Sequence, residues 1–287
     1  MSLRQISAHV HVETAHLGSN NSIVVGAEGL ALVDTPHRPT DAMAWRKTVD
    51  GFGTTRFVVN TDHHPDHTIG NFWQGGEVVS HRGTRERLLH EAPSRDYLAS
   101  LFARIDPEAV ALLDTYRVRV PTVVFSDALD LHLGDVHLEL SFQPGHTANS
   151  LIAYVPEDGV VFTGDIVCEA GLPSFQDSRL WDWFDAIEEV ASYDFDVLVP
   201  GHGEVADRGV LERYRDWGRE VVGQVADAIG RGVDREQASA EIRFPDNIHV
   251  DTEDYVGYPD DLIEMFQRRS IERIYEDLRE RPDLAAR

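Results

Sequence analysis

The stretch NTDHHPDHTIG, residues 60–70, crowds three histidines and two aspartates into one short turn. Asp62, His64, Asp66 and His67 are candidate metal ligands: imidazole nitrogens and carboxylate oxygens are what zinc, manganese and iron(II) accept. The i, i+2 spacing of Asp62 and His64 directs two side chains from one turn to one ion. His63 breaks that spacing and is expected to hydrogen-bond a neighbour, line the pocket mouth or face solvent. Three further residues repeat a common setting. His146 in SFQPGHTANS, Asp165 in VVFTGDIV and His202 in VLVPGHGEV each follow a glycine where an apolar run ends. Strand ends hold side chains rigidly, and glycine lets the backbone turn tightly beside a bulky ion. One such signal is weak, since a histidine after glycine is usually only a turn residue. Several in series, after apolar runs, point to a metal centre. One chemistry open to such a centre is hydrolysis: bound divalent ions lower the pKa of water from near 16 to about 7 and polarise a carbonyl.

The elements that must position these side chains are legible as short apolar runs. HVHVE, NSIVVG, GLALVDT, RFVVNT, GEVVS, DLHLGDVHLELSF, SLIAYVP, GVVFTGD and FDVLVPG read as strands. GAEG and PEDG read as hairpin turns. Helical spacing marks residues 40–50, with Thr40 and Asp41 as the expected cap, then the insertion at about 81–121, then 179–191, where Leu180, Trp183, Phe184 and Ile187 share one face. From 207 to the end nearly everything reads helical, interrupted around Tyr255 and Tyr258, which are candidates for a lid or an oligomer contact. Two batches of strands, each followed by helices, predict two sheets packed face to face with helices outside. The organisation expected is a domain over 1–206 and a helical C-terminal extension over 207–287 packed on it.

Composition narrows the partners. The chain has 287 residues, 50 acidic against 26 basic, for a formal charge of −24. That field repels phosphate backbones and anionic membranes, so neither nucleic acid nor membrane is an expected partner. The single cysteine, Cys168, excludes an intrachain disulfide and a cysteine-built zinc knuckle. It reads as a small packed hydrophobe near Asp165. With no signal-like h-region and no apolar run of membrane-span length, the expected location is cytoplasmic. A homo-oligomer is compatible with the sequence.

In order and setting, these motifs resemble those of the metallo-β-lactamase superfamily: H-x-H-x-D-H after a strand, a distant Gly-His, a Gly-Asp and a last Gly-His. The resemblance covers roughly residues 5–205, and NNSIVVGAEGLALVDTP is similar to the family's N-terminal hairpin. It implies an α+β, four-layer αββα sandwich with two divalent ions, zinc foremost with manganese or iron admissible. Asp62, His64 and His146 would hold the first ion, and Asp66, His67 and His202 the second, with Asp165 bridging. Asp66 would also orient a metal-bound hydroxide and pass on its proton, and Asp34 would support the site from beneath. The implied reaction is attack on the carbonyl of an ester, thioester, lactone or amide.

The departure is Asp62, where the family usually has histidine. Two divalent ions against three carboxylates and a hydroxide make a neutral cluster; a histidine would leave it one charge more positive. The expected substrate is therefore small and neutral or apolar. Phe72, Trp73 and Phe175 are candidates to grip it. The first-ion set is also a two-histidine, one-carboxylate group, as in mononuclear non-haem iron dioxygenases, which is the alternative reading. A non-catalytic binding protein on a decayed site is a third, opposed by the completeness of the ligand set.

Overall fold

The computed structural model describes residues 3–169, 175, 177–244 and 262–286. Tyr255 and Tyr258 lie outside them. The first sheet has seven strands in chain order: β1 (Arg4–Gln5), β2 (Val10–Glu13), β3 (Asn21–Gly26), β4 (Gly29–Val33), β5 (Thr55–Val59), β6 (Glu77–His81) and β7 (Val123–Phe125). Its first four strands pair antiparallel, and β4 through β7 pair parallel. The second sheet has five: β8 (Ala128–His132), β9 (His137–Phe142), β10 (Leu151–Val155), β11 (Val160–Gly164) and β12 (Val197–Pro200), in the spatial order β12-β11-β10-β9-β8. Only β11 and β12 run parallel there.

Neighbouring residues on one strand feed different cores, because side chains alternate across a sheet. Val24, Ala31, Val33, Val59 and Val79 meet Leu138, Leu140, Ala153, Val160 and Phe162 between the two sheets. Their neighbours Ile23, Leu30, Leu32, Val58 and Val78 point outward instead, under Trp45 and Val49 of helix α1 (Pro39–Asp50). Ile152, Tyr154, Val161 and Leu198 do the same on the second sheet, under α5 (Leu180–Ser192) and α6 (Gly209–Gly230). Strands buried on both faces are why the sequence shows nearly unbroken apolar runs. The result is the four-layer αββα sandwich.

The insertion contains α3 (Arg82–His90), α4 (Arg95–Ile105) and a 3-10 turn at Pro107–Leu112. It packs Leu98, Leu101, Phe102 and Tyr116 against Leu17 and Ile69, beside the histidine-rich turn. The C-terminal helices α7 (Arg235–Glu241) and α8 (Leu262–Glu280) join α5 and α6 in one continuous core with the second sheet. No described helix is long and apolar enough to cross a membrane.

The cap expected at Thr40 and Asp41 is replaced. The helix begins one residue earlier, with Pro39 in its first turn. Asp106, from the end of α4, accepts hydrogen bonds from the Thr40 backbone N–H at 2.8 Å and its hydroxyl at 2.9 Å. A distant carboxylate thus does the capping, and it also ties the insertion to the first sheet's cover.

Candidate metal centre

Four strand-end turns converge at one edge of the sandwich. The turn after β5 brings Asp62, His64, Asp66 and His67, the last two within the single helical turn α2 (Pro65–Thr68). His146 comes from the loop between β9 and β10, Asp165 directly follows β11, and His202 lies two residues past β12. Hydrogen bonds between the sheets set the spacing of these turns. Leu151 N–H donates to Thr61 O at 2.9 Å. The buried Asn20 donates through Nδ2 to Pro200 O and Gly203 O, both at 2.9 Å, clamping the turn that carries His202.

The seven side chains form two adjoining groups. Asp66, His67, Asp165 and His202 offer donor atoms within 4.8 Å of one another, as do Asp62, His64 and His146. His202 Nε2 lies 3.2 Å from Asp66 Oδ2 and 3.4 Å from Asp165 Oδ2. His67 Nε2 lies 3.4 Å from Asp165 Oδ1. In the other group His146 Nε2 is 3.1 Å from His64 Nδ1, and Asp62 Oδ2 is 3.1 Å from that same nitrogen. Asp165 touches both groups, since its Oδ2 is also 3.6 Å from His146 Nε2.

Two glycines are required here. Gly164 takes a φ of +49°, and a Cβ on it would meet the Thr61 hydroxyl at 2.6 Å. A Cβ on Gly201 would fall 1.9 Å from Asp165 Oδ1, an impossible contact. The Gly-Asp and Gly-His signatures therefore depend on each other across two parallel strands.

Supporting contacts fix the rings. Asp34, at φ +55° and buried, accepts from the Thr61 N–H at 2.8 Å and hydroxyl at 2.6 Å, and from His67 Nδ1–H at 2.9 Å. That leaves His67 Nε2 turned toward the cluster. Asp62 Oδ1 accepts the His64 backbone N–H at 2.8 Å, which aims its other oxygen inward. His63 is absent from both groups. It donates from Nδ1 to Asn149 Oδ1 at 3.0 Å, and burial pushes its pKa down to about 4.

The electrostatics favour a cation. Burial opposes charge throughout, yet the carboxylates outweigh it at His64, His67 and His202, holding all three well above the usual histidine range. Burial would raise Asp62, Asp66 and Asp165 as well, but the charged histidines beside them outweigh it and hold all three far below the ordinary carboxylate range. His67 Nε2, Asp62 Oδ2 and Asp165 Oδ1 are buried without a hydrogen-bond partner among the described residues. Orphaned ligand atoms in adjoining groups, two of them carboxylate oxygens and one an imidazole nitrogen, fit divalent ions.

The aromatic candidates fare differently. Phe175 is 2% exposed, stacked on Trp217 and edge-on to Trp183, so it serves the core rather than a substrate. Phe72 and Trp73 are partly buried and pack around Tyr116 of the insertion. Cys168 is buried, and its N–H donates to the Tyr214 hydroxyl at 2.8 Å. Sequence reasoning missed Asp177, whose Oδ2 lies 3.3 Å from His64 Nε2, and Asn149 beneath His63. SFQDSRL carries no spacing that marks Asp177; it reads as a helix start.

Comparison with known proteins identifies the family and the fold. The model of the metallo-beta-lactamase superfamily matches residues 16–202. Acyl-coenzyme A thioesterase MBLAC2 of Homo sapiens is 26% identical over 54% of this chain and 53% of its own length. The 2,4-dinitroanisole O-demethylase subunit beta of Nocardioides sp. is 26% identical over 70% of this chain and 58% of its own. The chain thus spans about half the length of these curated relatives. A metallo-beta-lactamase structure from Pontibacter korlensis superposes with a TM-score of 0.59 at 24% identity, covering 76% of this chain and 98% of that one. With the sandwich, the four turns and a family match over most of its length, this chain belongs to the metallo-beta-lactamase superfamily.

Proposed function

We propose that this metallo-beta-lactamase-fold hydrolase cleaves a small ester, thioester, lactone or amide. The observation that carries the reading is the pair of adjoining donor groups joined through Asp165, with inward-facing buried atoms left unpaired. Asp62, His64 and His146 would hold one divalent ion, and Asp66, His67 and His202 the other, with Asp165 between them. Ions in those seats would supply Lewis acidity and a water that deprotonates near neutral pH. Zinc is the proposed ion; the carboxylate-rich set also suits manganese or iron.

The remaining work falls to the protein. Asp66 is the most exposed member of the cluster, so its carboxylate can accept a proton from the attacking water and hand it to the leaving group. His67, locked by Asp34, keeps the second seat rigid while Asp66 acts. The thioesterase relative supports acyl transfer to water, and thioesters are the first class to try. A complete second group argues against the mononuclear dioxygenase, which needs only the first.

Elemental analysis of the purified protein, followed by a screen of thioesters, esters, lactones and an aryl methyl ether, tests the proposal. About two divalent ions per chain, with turnover falling 10²-fold or more in Asp66→Asn, is the expected result. One tightly held iron with oxygen-dependent turnover would replace this reading with the dioxygenase.

A further inference from the structure

The first ion's seat is tied to the C-terminal helix through a segment that contains no ligand. Residues 177–179 lead into α5, and their neighbours Phe175 and Leu180 are both hung on α8. Phe175 N–H donates to the Ser270 hydroxyl at 3.1 Å, and Leu180 N–H donates to Asp277 Oδ2 at 2.8 Å. Ser270 and Asp277 are buried. Between these two anchors, Asp177 Oδ2 reaches His64 Nε2 at 3.3 Å, and the Ser178 hydroxyl donates to the Gly145 carbonyl, next to His146. The His64 imidazole and the backbone that leads into His146 therefore both rest on one dipeptide.

From this placement we infer that Asp177 is a positioning residue for the first metal ion and that α8 puts it in place. The inference rests on the metal reading given above. A ring can present only one lone pair inward in a fixed direction if its other nitrogen is held as a donor. Asp177 accepts the His64 Nε2–H, which leaves His64 Nδ1 as the acceptor atom facing Asp62 Oδ2 and His146 Nε2. His67 has the same arrangement at the second seat through Asp34. The two seats differ in where that carboxylate comes from. Asp34 follows β4 inside the sandwich, whereas Asp177 depends on two hydrogen bonds from a helix whose range begins at residue 262. The helices past the last ligand thus complete the centre rather than merely cover it.

Zinc affinities of the full chain, measured by competition with a chromophoric chelator, test this. Asp177 is 39% exposed at its side chain, so its replacement leaves the core intact. Asp177→Ala is expected to weaken one zinc about 10- to 100-fold and leave the other within about threefold. Asp177→Asn, whose amide oxygen still accepts the hydrogen bond, recovers part of the loss. Ser270→Ala weakens the same zinc by a smaller factor, and adding it to Asp177→Ala brings no further loss. Unchanged affinities in Asp177→Ala overturn the inference, as does equal weakening of both zincs. A third equivalent of zinc lost with Asp177, the first two intact, overturns it in favour of an outer ion on His63, His64 and Asp177. A wild-type chain that binds no divalent ion overturns the metal reading itself, and this inference with it.

Discussion

Asp62 carries the main chemical departure of the site. Its Oδ1 is spent on the His64 backbone N–H, and its Oδ2 spans the gap toward His64 Nδ1 and His146 Nε2. On the proposed ligand set the carboxylate takes the seat an imidazole would otherwise hold and subtracts one charge from the centre. A less positive cluster acidifies water less and attracts anions less. Asp62→His should therefore move the acidic limb of the kcat/KM–pH profile to lower pH by roughly one unit, equivalent to about 1.4 kcal/mol. It should also improve turnover of anionic substrates relative to neutral ones. Parallel pH–rate profiles of the two proteins check this, and an unmoved acidic limb contradicts it.

At the scale of elements, the start of β2 is fastened to the β10–β11 turn. Asp158 in that turn accepts from His9 N–H at 2.7 Å and from His9 Nδ1–H at 2.8 Å, and the Ser7 hydroxyl joins them. The hydrogen bond to Asp158 raises the His9 pKa above 6.5. Burial would raise Asp158, but the Ser7 and His9 bonds prevail and lower it below 3.8. A raised histidine stabilises below its unfolded pKa and loses that contribution as pH climbs through the folded value. A depressed carboxylate stabilises above its unfolded pKa and loses that as pH falls. Both contributions coexist only between about pH 4 and 6.5. The Tm difference between wild type and Asp158→Asn should be widest there and narrow on both sides, as thermal melts across pH would show. The same scale explains what the sequence could and could not reveal. Asp165 and His202 were readable because their glycines and strands lie beside them in the chain. β7 was not: it is three residues long with Val124 exposed, too short and too open for alternation to register. The cap of α1 is not legible locally because Asp106, far along the chain, takes the role that neighbouring residues usually fill. Asp177 escaped for the same reason, being delivered by tertiary hydrogen bonds from α8. Phe175 stands near Asp165 in sequence but packs in the core, because nearness in sequence says nothing about which way a ring turns.

For the whole molecule, the second sheet has no finished outer face without the residues past 206. Val221, Val225, Ile271, Ile274 and Leu278 share one core with Trp183, Ile187 and Leu198, and Trp217 is 1% exposed at its middle. A chain ending at residue 206 should lose cooperative thermal unfolding and bind a hydrophobic dye. Trp217→Ala alone should cost about 3–5 kcal/mol in denaturant melts. A sharp transition from the shortened chain would show that the helices are dispensable. The centre itself has a further consequence for how the molecule matures. Each proposed ion seat takes side chains from both sheets, Asp62, His64, Asp66 and His67 from one and His146, Asp165 and His202 from the other. Neither half of the nascent polypeptide can assemble a seat on its own, and contacts between residues so distant in sequence are slow to form. On the proposed two-ion reading, loading would be deferred to the last stage of folding, and a captured ion would certify that the two halves have met in register.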